Sequence, residues 1–214
     1  MSTKIKICGL TTEADIDCVN QLMPEYIGFV FAKKSRRYLA DGEAEHLRNR
    51  LRPGITPVGV FVNEDPERIA SLLARGVIEI AQLHGQEDEA YVARLKSLTD
   101  RPLFQAFSIS GPEDVARAER SGADCILLDQ GAGGTGKAFD WSLAKNIRRP
   151  WFLAGGLDCQ NIGEALGTAE PWGVDVSSGV ETEGKKDPAK IRSFVAEVRN
   201  WNRKNCFGEN RNFR

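Results

Sequence analysis

Eight short apolar runs, each followed by a stretch of helical periodicity, fill the 214-residue chain from end to end. Strands are predicted at 4–8, 26–31, 57–62, 78–83, 103–107, 125–129, 151–154 and 173–177. Several are rich in Val, Ile and Phe, as strands covered on both faces must be. Helices are predicted at 12–20, 41–50, 66–75, 87–97, 112–121, 141–147, 161–166 and 188–201. Asp65-Pro66 and Asp187-Pro188 carry the N-cap and first-turn pattern of a helix start, and Gly76 and Gly122 follow helices as C-terminal caps. An open doubly wound sheet also alternates strand and helix. Eight units in this length, with no second domain, favour a closed α/β fold instead, a single (β/α)8 TIM barrel over residues 1–201. Residues 202–214 are polar and Asn-rich and are expected to form a loose tail.

Composition narrows the function classes. Apolar residues make up 41% of the chain, enough for a sizeable core, and charges nearly cancel at a net of −1, which calls for neither nucleic acid nor an acidic membrane surface. No apolar run approaches the length of a membrane span, and Met1-Ser2-Thr3-Lys4-Ile5 leads straight into the first strand rather than into a signal segment, so a cytoplasmic protein is expected. The five cysteines are odd in number and form no Cys-x-x-Cys pair, and the two histidines are far apart, so neither a disulfide framework nor a metal site is expected.

Barrels of this class carry their sites at the C-terminal ends of the strands. Leu153-Ala154-Gly155-Gly156-Leu157 ends the seventh strand and Asp175-Val176-Ser177-Ser178-Gly179-Val180 the eighth. Gly155, Gly156, Ser177, Ser178 and Gly179 put backbone N–H groups where the fold commonly binds phosphate, although a Gly-Gly pair also serves a plain tight turn. Gly131-Ala132-Gly133-Gly134-Thr135-Gly136-Lys137 fits a P-loop only up to Ala138, where Ser or Thr is needed for magnesium; it reads better as a mobile loop beside Asp129. Cys8 ends the first strand and Asp129 the sixth. A buried cysteine is commonly a packing residue, and an Asp at a strand end commonly a cap. Their shared place beside a phosphate signal is what singles them out.

At this point the chain resembles the phosphoribosylanthranilate isomerases of tryptophan biosynthesis. The resemblance rests on Lys6-Ile7-Cys8-Gly9-Leu10-Thr11, Gly59-Val60-Phe61-Val62-Asn63, Gln82-Leu83-His84-Gly85, and Leu127-Leu128-Asp129 with Gly133-Gly134-Thr135-Gly136-Lys137 and Phe139-Asp140-Trp141. Leu153–Leu157, Val174-Asp175-Val176-Ser177-Ser178-Gly179-Val180-Glu181 and Gly184-Lys185-Lys186-Asp187 complete it, in family order over about residues 4–200. The family's Ser-Pro-Arg stands here as Ser35-Arg36-Arg37, without the proline.

The resemblance implies an Amadori rearrangement of a small phosphoribosyl substrate, N-(5′-phosphoribosyl)anthranilate, to 1-(2-carboxyphenylamino)-1-deoxyribulose 5-phosphate, with no cofactor. It implies Cys8 as general base, Asp129 as general acid, and Arg37 as partner of the anthranilate carboxylate, with Arg36 as the fallback in that loop. His84 and Asp175 are expected to bind substrate, although a structural role for His84 stands equally open. An acid working near neutrality needs a raised carboxyl pKa, and a thiol base needs a positive neighbour. Lys6, on the same face of the strand as Cys8, is a candidate for that neighbour. The chain is expected to be a monomer or homodimer. The related isomerase of histidine biosynthesis, which carries Asp in place of Cys8, and a non-catalytic phosphate-binding barrel are the competing readings.

Overall fold

A computed structural model of the chain describes residues 2–130 and 140–208, with side chains through 205. Eight parallel strands follow one another around a closed barrel. They are β1 (Lys4–Cys8), β2 (Tyr26–Val30), β3 (Thr56–Phe61), β4 (Ile80–Leu83), β5 (Leu103–Ile109), β6 (Cys125–Gln130), β7 (Trp151–Leu153) and β8 (Gly173–Val176). β8 pairs back onto β1, with Lys6 opposite Asp175. The connecting helices are α1 (Glu13–Leu22), α2 (Asp41–Asn49), α3 (Pro66–Ala74), α4 (Glu89–Leu98), α5 (Pro112–Glu119), α6 (Ile162–Ala169) and α7 (Pro188–Gly208). Local chemistry starts them as the sequence suggests. Thr12 and Asp15 form a reciprocal capping box on α1, and the Asp65 side chain accepts the Glu67 N–H ahead of Pro66.

Side-chain parity divides the barrel wall into two cores. Outward residues such as Ile5, Ile7, Ile27, Phe29, Phe61, Leu83, Ile126, Leu128 and Val174 pack under the helices in one large cluster. Inward residues Val58, Ile80, Phe104, Leu127 and Phe152 fill the lower interior, with Tyr26 and Trp172 packed against them. The rings of Tyr26 and Phe152 meet edge to face at 5.5 Å. This aromatic floor closes the lower barrel and leaves the upper interior to Lys6, Cys8, Gln82 and Asp175, which share the inward parity.

Three expectations change. The helix expected at 141–147 is only a 3₁₀ turn, Trp141–Ala144. Asp140 caps it through the Ser142 N–H at 3.0 Å, and Pro150 disfavours helical backbone at Arg149 before it. The tail expected to be loose from 202 begins as helix, because α7 runs to Gly208. Asn202 is buried; its Oδ1 accepts the Thr3 N–H and its Nδ2 donates to the Thr3 carbonyl, both at 2.9 Å. A polar residue there substitutes for a strand partner. After β8 a 3₁₀ turn, Ser178–Val180, leads into a small hairpin of β9 (Glu181–Thr182) and β10 (Lys185–Lys186), where no element was expected from the sequence. Its turn residues Glu183 and Gly184 both have positive φ, 51° and 79°, as a two-residue hairpin turn requires. The loop at 131–138 read from the sequence lies outside the described residues. Among the described residues no helix is long and apolar enough to cross a membrane.

Candidate active site

The strand ends surround a cleft of about 640 Å³ whose lining includes Cys8, His84, Asp129, Gly155, Gly156, Asp175, Ser177 and Ser178. Arg37 lines it from the loop after β2, and Val30, Val60 and Ala32 supply an apolar wall. Gly179, also expected at the phosphate loop, stands behind this lining in the turn that follows Ser178. Cys8 on β1 and Asp129 on β6 lie three strands apart around the barrel, so the cleft separates them.

Cys8 is 8% exposed and shares its register position with Gly28 of β2. A side chain at Gly28 would bring its Cβ to 2.6 Å from the Cys8 sulfur, so the glycine leaves the thiol its space. Burial pushes the Cys8 thiol above its ordinary pKa, while Lys6 and, more weakly, Lys186 pull it down. The positive neighbour expected from the sequence is thus present but outweighed. Part of the reason is that Lys6, fully buried, is tied to Asp175 Oδ2 at 2.8 Å. Burial works to lower the Lys6 pKa, but Asp175 and then Cys8 overcome it and hold Lys6 above its usual value. The other oxygen, Asp175 Oδ1, is buried without a hydrogen-bond partner.

Across the cleft, His84 Nε2 lies 3.3 Å from Asp129 Oδ2. His84 Nδ1 in turn lies 3.0 Å from Gln82 Nε2. Gly155, at φ 81°, packs so closely that a Cβ there would come within 2.6 Å of Asp129 Oδ1. The Gly-Gly turn lines the upper rim and makes room for the β6 carboxylate.

Arg37 has a partner that the sequence did not suggest. Its Nε and Nη2 grip Glu181 of the hairpin at 2.6 and 2.9 Å, a two-pronged carboxylate contact. Arg36 Nη2 reaches the same carboxylate at 2.6 Å, and Lys186 Nζ at 2.8 Å. Burial works to raise the pKa of Glu181, but hydrogen bonds from Arg37 and Lys186 hold it at about 2. Lys186 also donates to the Ser177 carbonyl at 2.9 Å, and the Ser177 hydroxyl donates to the Cys8 carbonyl at 3.1 Å. The loops after β1, β2 and β8 are thereby locked together beside the thiol. Gln82, Glu181 and Lys186 carried no assigned role in the sequence. Gln82 could have been found from its inward parity, two residues before His84. Glu181 and Lys186 meet only through the hairpin. Among the described residues no cluster of His, Cys, Asp or Glu is placed to hold a metal ion.

Known proteins share this arrangement of strands and motifs. The model of the N-(5′-phosphoribosyl)anthranilate isomerase family matches residues 5–197. A relative of that name from Clostridium acetobutylicum is 42% identical over 204 residues, covering 92% of this chain and 98% of its own. The crystal structure of phosphoribosyl anthranilate isomerase from Thermotoga maritima superimposes with a TM-score of 0.84 at 34% identity, over 92% of this chain and 99% of that one. Another phosphoribosyl anthranilate isomerase, solved in complex with reduced 1-(o-carboxyphenylamino)-1-deoxyribulose 5-phosphate, gives a TM-score of 0.82 at 33% identity, over 92% and 99% of the two chains. Motif, barrel and cleft converge with these matches, and the chain belongs to the N-(5′-phosphoribosyl)anthranilate isomerase family.

Proposed function

We propose that this isomerase opens the ribose ring of N-(5′-phosphoribosyl)anthranilate and rearranges it to 1-(2-carboxyphenylamino)-1-deoxyribulose 5-phosphate. The observation that carries the reading is the placement of Cys8 and Asp129 in one cleft, on strands three apart, beside the glycine and serine loops of β7 and β8. The reaction needs an acid and a base on different sides of one small sugar. Asp129 gives a proton to the ring oxygen as the bond from that oxygen to C1′ breaks. The anthranilate nitrogen lone pair fills the vacated position and forms a cationic iminium. Cys8, as thiolate, then takes the proton from C2′. The electron pair moves into the C1′–C2′ bond, the iminium nitrogen becomes neutral, and the resulting enol relaxes to the ketone.

This order bears on the raised Cys8 pKa. In the free protein, burial disfavours the thiolate. The iminium formed by ring opening is a positive charge one atom from the reacting carbon, and it offsets that burial when the base acts. The backbone N–H groups at Gly155, Gly156, Ser177, Ser178 and Gly179 suit the substrate phosphate, which a bulky side chain there would exclude. Asp175 Oδ1, buried and unpartnered, suits a sugar hydroxyl. Arg37 suits the anthranilate carboxylate through whatever edge Glu181 leaves it, with Glu181 fixing the angle of approach. The related structure with the reduced product analogue supports a ligand of this class in the cleft. The test is to incubate the chain with freshly made N-(5′-phosphoribosyl)anthranilate and identify the product by NMR. The ketose is expected. Unchanged substrate, beyond its spontaneous breakdown, would contradict the reading.

A further inference from the structure

We infer that Gln82 is a positioning residue, which selects the tautomer of His84 and thereby fixes the oxygen on which Asp129 carries its catalytic proton. This rests on the reading of Asp129 as the acid. Gln82 is 1% exposed and lines the cleft from β4. His84 comes two residues later on the same inward face. The contacts form a chain, Gln82 Nε2 to His84 Nδ1 at 3.0 Å and His84 Nε2 to Asp129 Oδ2 at 3.3 Å.

With the Gln82 amide nitrogen facing the ring, and an amide nitrogen only donating, we assign His84 Nδ1 as the ring's lone-pair nitrogen. The ring hydrogen then sits on Nε2 and points at Asp129 Oδ2. One neutral tautomer satisfies both contacts. The opposite tautomer would put a lone pair against a carboxylate oxygen, tolerable only when that oxygen is itself protonated. With Oδ2 accepting from His84, the Asp129 proton is confined to Oδ1. That oxygen lies against Gly155, where a Cβ would come within 2.6 Å of it, on the β7 side of the cleft. Once the proton has gone to substrate, the His84 N–H stabilises the carboxylate left behind. The Gln82 Oε1 atom is buried and without a partner, so Gln82 presents an acceptor as well as holding the ring.

The chain has only two histidines, which makes a direct test practical. His46 is exposed on α2, with Nε2 2.7 Å from Glu13, and His46→Asn assigns the remaining signals to His84. Long-range proton–nitrogen spectra of the ¹⁵N-labelled protein are expected to show His84 Nδ1 at an unprotonated shift and Nε2 at a protonated one. In Gln82→Leu the two shifts are expected to move toward each other, with kcat falling about tenfold and KM little changed, the loss expected for one hydrogen bond. Gln82→Glu, whose carboxylate accepts from Nδ1–H, is expected to exchange the two shifts.

A protonated Nδ1 in the unmutated protein overturns the inference without recourse to any variant. So does a folded Gln82→Leu protein with unchanged shifts or unchanged kcat. Absence of turnover by the unmutated chain overturns the isomerase reading and the catalytic role of the pair together. That case is told apart from failure of the pair alone, which leaves wild-type turnover intact.

Discussion

At the scale of single residues, the upper barrel holds charges that are stable only as sets. Lys6 and Asp175 are both buried and 2.8 Å apart. Lys6→Met leaves the buried Asp175 carboxyl without its partner and is expected to cost about 3–5 kcal/mol in chemical denaturation, part of it recovered in the Lys6→Met/Asp175→Asn double variant. Equal losses in the single and double variants would show that the pair itself is not the source. Glu181 behaves differently, because its carboxyl is held at about 2 by surrounding cations. A folded-state value below that of the unfolded chain contributes stability above about pH 4.3, and that contribution is lost as pH falls toward the folded value. The melting temperature should therefore drop between these limits in the wild type and drop less in Glu181→Gln. The same variant frees Arg37 and is expected to raise KM more than it lowers kcat. For Cys8 the sign runs the other way. Burial raises the thiol, so its alkylation rate in the free protein should rise at a pH above that of an ordinary cysteine, as followed by peptide mass spectrometry. A midpoint at or below the ordinary value would mean that Lys6 outweighs burial.

Elements bring these residues together, and here the sequence is unevenly legible. The strands are readable because inward and outward parity is clean and both faces are apolar below the rim. Helix starts at Asp65-Pro66 and Asp187-Pro188 are readable because capping is local. The β9–β10 hairpin is not, since two-residue strands carry no period and Glu183-Gly184 is not one of the favoured turn pairs. Nor does local sequence show that Arg37 meets a carboxylate 144 residues away. The end of α7 is illegible for a related reason. Asn202 looks like a solvated tail residue until its two hydrogen bonds to Thr3 are seen. Asn202→Ala is expected to lower stability by about 1–3 kcal/mol, since it leaves buried backbone groups of Thr3 unpaired. Urea titration checks this, and a change under about 0.5 kcal/mol, the range of ordinary surface substitutions, would mean that the clamp contributes little.

The whole molecule separates support from chemistry along the barrel axis. The aromatic floor of Tyr26, Phe104, Phe152 and Trp172 closes the lower interior, and the expected site residues other than Gly179 line the cleft at the opposite end. That separation is why family motifs scattered over the length of the chain converge on one cleft. It also places most of the expected site residues at strand ends, with Arg37 reaching the cleft from the loop after β2. Two of them, Cys8 and Asp129, are the groups proposed to move the protons. The most direct measurement follows the fluorescence decay of freshly made N-(5′-phosphoribosyl)anthranilate with the wild type, Cys8→Ala and Asp129→Asn, each checked for folding by circular dichroism. Decay well above the spontaneous rate is expected for the wild type, and a loss of at least about 10² in kcat for each variant, with smaller changes in KM. Wild-type-like decay in either folded variant would contradict the role given to that residue.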